Sequence, residues 1–117
     1  MDVTTEELAR RLGEPGLVVV DVRSAAEFAG LAGAPCDPRQ GHIPGALHVD
    51  VNDLVSGDAE AVRELVGLPA GSEIVTYCHS GSRSAIAAMV LRAAGFEARN
   101  YAGSWHEWSR DDGLPAE

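Results

Sequence analysis

The sequence predicts an α/β fold built on a parallel sheet, and three features carry that reading. Strand-like and helix-like segments alternate along the chain, the pattern of parallel strands joined by helical crossovers. Residues 17–20, Leu-Val-Val-Val, form a β-branched run without polar alternation, as a strand buried on both faces requires. Neither repeats nor linkers interrupt the 117 residues, so one domain over 1–117 is expected, large enough to bury a core without staples.

Thr4-Thr5-Glu6-Glu7 has the form of a capping box, with Thr4 as cap and Glu7 reaching back to it. Leu8 and Leu12 share one face of the helix that follows, and Gly13 and Pro15 stop it. The run 17–20 is the first strand, closed by Asp21, Val22 and Arg23. Residues 24–28 make one or two helical turns with Phe28 turned inward, and 30–40, with its Gly, Ala, Pro and Asp, is a loop. Gly41-His42-Ile43-Pro44-Gly45-Ala46 is a rigid bend in which Pro44 fixes one torsion and Gly45 relaxes the next. It feeds a strand at 47–49.

Residues 51–55 and 58–66 are two further helical pieces; Ser56 or Asp58 caps the second and Gly67 ends it. Residues 69–71 turn into a buried strand at 73–77. The main helix covers 84–94 and stops at Gly95, and 97–101 is a last strand. Gly103 and Ser104 open a final helix whose Trp105 and Trp108, three apart, share a face. From Asp111 the chain is a tail.

Composition excludes several classes of function. The formal net charge is −9 and every basic residue is Arg. Such a domain repels a phosphate backbone, which argues against nucleic-acid binding, while a small anion can still be held locally by Arg and backbone N–H groups. Two cysteines are too few for a disulfide framework, and a reactive thiol suits a reducing, cytoplasmic setting. Neither an apolar signal core, a membrane-length apolar run nor a basic amphipathic stretch is present in the sequence, so membrane association is not expected. Sequence spacing gives no His, Cys, Asp or Glu pair of metal-ligand type, so no metal is expected.

The chemistry concentrates in Tyr77-Cys78-His79-Ser80-Gly81-Ser82-Arg83-Ser84. Cys78 stands where a strand ends and a short polar loop opens a helix. A helix start offers unpaired N–H groups and the positive end of the helix dipole, and successive loop N–H groups can curl into an anion cradle. A free thiol has a pKa of about 8.5, and such a setting lowers it. Gly81 permits backbone angles that a side chain would forbid. Arg83 either adds a fixed positive charge at the rim or faces solvent from the first helical turn.

Cys-x-x-Gly-x-Arg-Ser between a strand and a helix resembles the active-site loop of the rhodanese family of sulfurtransferases. Gly41-His42-Ile43-Pro44-Gly45-Ala46 and Val20-Asp21-Val22-Arg23 match two further signatures of that family. The stretch Tyr101-Ala102-Gly103-Ser104-Trp105-His106-Glu107-Trp108 is similar to the end of the catalytic half of two-domain thiosulfate and mercaptopyruvate sulfurtransferases. The resemblance runs over nearly the whole chain, in family order. It implies a rhodanese-like fold, with a central five-stranded parallel sheet and helices on both faces.

It also implies a cycle that needs no cofactor. Cys78 takes a sulfane sulfur from a small anionic donor such as thiosulfate and passes it to cyanide or a thiol. Arg83 draws in the donor, and the loop residues His79, Ser80, Gly81 and Ser82 form the cradle. Asp21 either caps the helix at Ser24 or orients Arg groups near the loop, with Arg23 beside it. Arg39 is a candidate for the substrate-binding arginine that this loop supplies in two-domain relatives, whereas Glu27 stands near where they carry another, which weakens the case for mercaptopyruvate. Trp105 is either core or a pocket wall. His42 reads as a structural residue of its bend rather than a catalytic one, and Cys36 is either incidental or a resolving thiol for Cys78.

Two alternatives compete. Cysteine phosphatases share the Cys-loop-Arg plan, but four residues separate Cys78 from Arg83, one fewer than in those enzymes. The tighter ring of donors suits one sulfur better than a tetrahedral oxyanion. A non-catalytic rhodanese-like module that binds a partner protein is the other alternative, and retention of Cys78 argues against it. The loop has neither the basic residues that follow the cysteine in thiosulfate-preferring relatives nor the Gly-Ser-Gly-Val-Thr type of the mercaptopyruvate enzymes; it is more similar to the stand-alone single-domain type.

Overall fold

The computed structural model describes residues 2–117. Its elements are α1 (Thr5–Arg11), β1 (Leu17–Asp21), α2 (Ala25–Phe28), β2 (Leu47–His48), α3 (Val51–Val55), α4 (Ala59–Val66), β3 (Glu73–Tyr77), α5 (Ser82–Ala93), β4 (Glu97–Asn100) and α6 (Ser104–Trp108). The sheet is parallel throughout, in the order β2-β1-β3-β4. β1 and β3 are the inner pair, matched from Leu17 opposite Glu73 to Asp21 opposite Tyr77. Their β-branched residues serve both faces. Val20 and Ile74 join α3, α4 and α5 in one core through Leu54, Val62, Val66 and Leu91. Val19 and Val75 join α1 and α6 in the other, through Leu8, Trp105 and Trp108. Among the described residues no helix is long and apolar enough to cross a membrane.

The expected fifth strand is reduced to one residue. Val3 bridges Tyr101 in parallel and donates to the Asn100 carbonyl at 2.8 Å, but Thr4 next to it already caps α1, which leaves no length for a strand. The expected capping box is half present. Thr4 accepts the Glu7 N–H, whereas the Glu7 carboxylate turns to Arg99 at 2.8 and 3.0 Å. A complete box occurs instead at α2, between Ser24 and Glu27. Asp58 is the cap of α4, and Gly67 ends it in the left-handed region at φ 70°. Phe28 is half-buried rather than in the core; its ring stacks on His42, with centroids 3.8 Å apart.

Because Ser24 supplies the α2 cap, Asp21 is not needed there. It lies fully buried and grips Arg23, which is 1% exposed, at 2.7–3.1 Å. Arg23 also donates to the Gly41 carbonyl at 2.6 Å and lies over the rings of Tyr77 and Trp105. The pair thereby ties the end of β1 to the bend at 41–46. Burial alone would lower the Arg23 pKa, but the Asp21 carboxylate outweighs it and the net shift is upward. His42 completes the bend as expected. Its Nδ1 faces the Phe28 carbonyl at 2.8 Å, so that nitrogen carries the proton, and its backbone exchanges both hydrogen bonds with Glu117.

Removing one member of a buried ion pair strands the other. Asp21→Ala should therefore cost about 3–5 kcal/mol of unfolding free energy in urea titration. Asp58→Ala, which removes only a helix cap, should cost about 1 kcal/mol. Equal losses would contradict this account of the buried pair.

Candidate active site

Cys78 follows β3 directly, and Gly81 caps α5 with φ 97°. A side chain at Gly81 would be strained by that angle, and its Cβ would lie 2.5 Å from the Ala102 carbonyl oxygen. The twelve-residue α5 then runs from the loop behind the sheet, so its first turn points at the thiol. Cys78 is 1% exposed. Its Sγ accepts the Gly81 N–H at 3.1 Å and the Ser84 hydroxyl at 3.3 Å, and the Ser104 hydroxyl lies at 4.0 Å. Burial pushes the thiol pKa up. The Ser84 hydroxyl and the backbone N–H groups of Ser84, Gly81 and Ser80 outweigh it, and the net shift is downward. The loop therefore favours a thiolate at a site nearly closed to water.

The orientation of the loop comes from behind it. The Cys78 and His79 carbonyls accept the N–H groups of Trp105 and His106, both at 2.9 Å, at the start of α6. The Gly81 carbonyl accepts from Asn100 Nδ2 at 3.2 Å. In a trans peptide the N–H points opposite the preceding carbonyl. Turning these carbonyls outward therefore turns the N–H groups of His79, Ser80 and Ser82 toward the thiol side. Ser104 supports the arrangement: its hydroxyl accepts the Cys78 N–H at 3.1 Å and donates to the Tyr101 carbonyl at 2.9 Å.

Arg83 is at the rim, 38% exposed, and is not a free charge. Glu27 holds it through contacts of 2.9 and 3.2 Å. The Arg83 hydrogen bonds bring the Glu27 pKa down to about 2. A cleft of about 300 Å³ runs along Arg83, lined also by Ser24, Asp50, Asn52, Val55 and Ile86. Cys78 is buried and does not line this cleft.

Of the expected site residues, Cys78, Gly81 and Arg83 meet at this point, with Ser80 and Ser82 exposed on the loop and His79 half-buried. Asp21 and Arg23 lie beneath it as the buried pair. Arg39 is taken up elsewhere: it donates to the carbonyls of Trp108, Ser109, Asp111 and Leu114 and clamps the C-terminal turn. With its donors engaged there, it is not placed as a substrate arginine. Trp105 is fully buried and donates to the Arg39 carbonyl at 2.9 Å, so it is core rather than pocket wall. Cys36 is exposed and free. The sequence reasoning missed Ser84, Ser104, Asn100 and the Glu27–Arg83 pair. Ser84 was within reach as a first-turn hydroxyl facing back along the helix, whereas Ser104 is joined to Cys78 only by the fold.

Residues 4–111 match the family model described as Rhodanese-like domain. The chain is 32% identical over 123 residues to a thiosulfate sulfurtransferase of Pseudomonas aeruginosa, covering 97% of this chain and 45% of that protein. It is 38% identical to a probable 3-mercaptopyruvate sulfurtransferase of the same organism, covering 92% of this chain and 41% of the other. The crystal structure of a probable thiosulfate sulfurtransferase superposes with a TM-score of 0.85 at 46% identity, covering 99% of this chain and 47% of that one. The chain thus spans less than half the length of these relatives.

Ser84→Ala removes one hydroxyl donor from the thiolate. At neutral pH, alkylation of Cys78 by iodoacetamide should slow about tenfold, the equivalent of about 1.4 kcal/mol, and should recover at alkaline pH. An unchanged pH profile, followed on the Cys78 peptide, would exclude Ser84 as a thiolate donor.

Proposed function

The chain belongs to the rhodanese-like domain family, and from that premise we propose that it is a sulfurtransferase that carries sulfane sulfur as a Cys78 persulfide. The observation that carries this reading is the buried Cys78 Sγ. It is surrounded by N–H and O–H donors that favour the anion, in a loop with four residues between Cys78 and Arg83. The Cys78 thiolate attacks the outer sulfur of thiosulfate or a related donor. A new S–S bond forms, the donor's S–S bond breaks, and sulfite leaves with the electron pair. The terminal persulfide sulfur carries the negative charge, and the loop N–H groups stabilise it as an oxyanion hole stabilises an alkoxide. Cyanide or a thiol then takes that sulfur and releases the thiolate. The covalent relay gives ping-pong kinetics.

The chain's two free thiols suit a reducing, cytoplasmic compartment. Arg83 attracts the donor, with Glu27 limiting its pull. The likeness to both thiosulfate and mercaptopyruvate sulfurtransferases supports sulfur transfer in general, and thiosulfate is the donor proposed here.

Intact mass after incubation with thiosulfate should rise by one sulfur on Cys78, and cyanide should remove it as thiocyanate. Cys78→Ser should gain nothing. A free Cys78 that stays unmodified would sink the thiosulfate reading, and mercaptopyruvate would be tested next. Glu27→Gln keeps a side chain able to serve the α2 cap but removes the charge facing Arg83. It should lower KM for thiosulfate roughly threefold to tenfold at low ionic strength, with the gain fading as salt is added. A salt-independent or absent change would remove Arg83 from donor capture.

A further inference from the structure

Cys36, Asp37, His79 and His106 come from three separate parts of the chain, and the fold brings them together. One ligand-type atom from each lies within 4.8 Å of all the others. None of the pairs has a spacing that sequence would flag, which is why no metal was expected. His79 Nε2 is 3.0 Å from Asp37 Oδ2, and His106 Nδ1 is 3.4 Å from Asp37 Oδ1. The Cys36 thiol is 4.0 Å from Asp37 Oδ1. We propose that these four side chains form a binding site for a divalent cation of the zinc class.

Two observations support a ligand here beyond the clustering. The Asp37 side chain is fully buried, and its Oδ2 makes no hydrogen bond. His79 Nε2, beside it, makes none either, because their close approach does not meet hydrogen-bond geometry. Buried polar atoms that lack partners are rare, and a cation between them satisfies both lone pairs. Arg110 donates to Asp37 Oδ1 at 2.8 Å, to the Cys36 carbonyl at 2.9 Å and to the His106 carbonyl at 2.6 Å. It fixes the carboxylate and leaves Oδ2 for a ligand.

The donor set selects the ion. One thiolate, two imidazoles and one carboxylate suit Zn²⁺ and its borderline neighbours, and not Mg²⁺ or Ca²⁺, which take oxygen ligands. Zinc bonds of about 2.0–2.3 Å in a tetrahedron place ligand atoms roughly 3.3–3.7 Å apart. Closing from the present spread needs small movements of the exposed Cys36 and of His106, which is 48% exposed. The His79 and His106 backbones are already joined by a 2.9 Å hydrogen bond. Cys36 gives up its proton on ligation. A bound ion would tie the 30–40 loop and α6 to the residue that follows Cys78.

Titration of the chain with Co²⁺ should show one ion per chain, with the visible bands of tetrahedral coordination and a thiolate-to-cobalt charge-transfer band. Zn²⁺ should displace it. Cys36→Ser should abolish the charge-transfer band, and both Cys36→Ser and His106→Ala should weaken Zn²⁺ at least about tenfold. Cys78→Ser should leave the band and the affinity in place. In the unaltered protein, Zn²⁺ should protect Cys36 from alkylation, a readout that depends on no variant folding. Absence of stoichiometric binding, lack of Cys36 protection, or a band that disappears with Cys78→Ser and survives Cys36→Ser would overturn the site.

Discussion

Two backbone hydrogen bonds, from Trp105 N–H to the Cys78 carbonyl and from His106 N–H to the His79 carbonyl, decide which way the cysteine loop faces. They answer two needs at once. The first N–H groups of any helix lack partners within it, and those of α6 find theirs in the loop. The loop carbonyls, in turn, are drawn away from the thiol. A peptide plane cannot turn its carbonyl outward without turning its N–H inward, so docking of α6 makes the electropositive lining. The two tryptophans hold α6 in place by filling the core on that side of the sheet.

The thiol sits at a balance between opposing effects. Cys78 belongs to the apolar core beneath α3, α4 and α5, and that burial disfavours a charge. Donors from the loop, Ser84 and the start of α5 favour it. The same low dielectric that penalises an unpaired anion strengthens each hydrogen bond made to it. The buried Asp21–Arg23 pair plays a different part. It joins the end of β1, the 41–46 bend and the rings of Tyr77 and Trp105, the layer on which the loop rests.

The sequence was most informative where function depends on local order. Alternating strands and helices, the ends of α4 and α5, and Cys78 at the junction of β3 and α5 all follow from short-range patterns. The 41–46 bend with a structural His42 does as well. Legibility failed where partners are distant or compete. Glu7 was expected to return to Thr4, but Arg99 on β4 offers it a charge-assisted bond. Arg39 has the right type for an anion site, yet it gives four hydrogen bonds to carbonyls of the C-terminal turn. Glu27 reads from the sequence only as weakening the case for mercaptopyruvate, and in the fold it is the ion-pair partner of Arg83. Nothing in the spacing of Cys36, Asp37, His79 and His106 announces that they meet. The five-stranded expectation came from likeness rather than from the residues; the sheet has four strands, and Val3 adds only an isolated bridge.

Ser104 has φ 55°, the one positive value among described residues other than glycine. Glycine or asparagine would relieve the backbone at that position. Neither offers a hydroxyl that can accept from Cys78 N–H while donating to the Tyr101 carbonyl. The position is therefore caught between two kinds of selection. Screens for thermal tolerance would reward a residue at ease in that conformation, and screens for turnover would reward the hydroxyl. A library sorted by the two criteria should diverge at this codon more than at its neighbours.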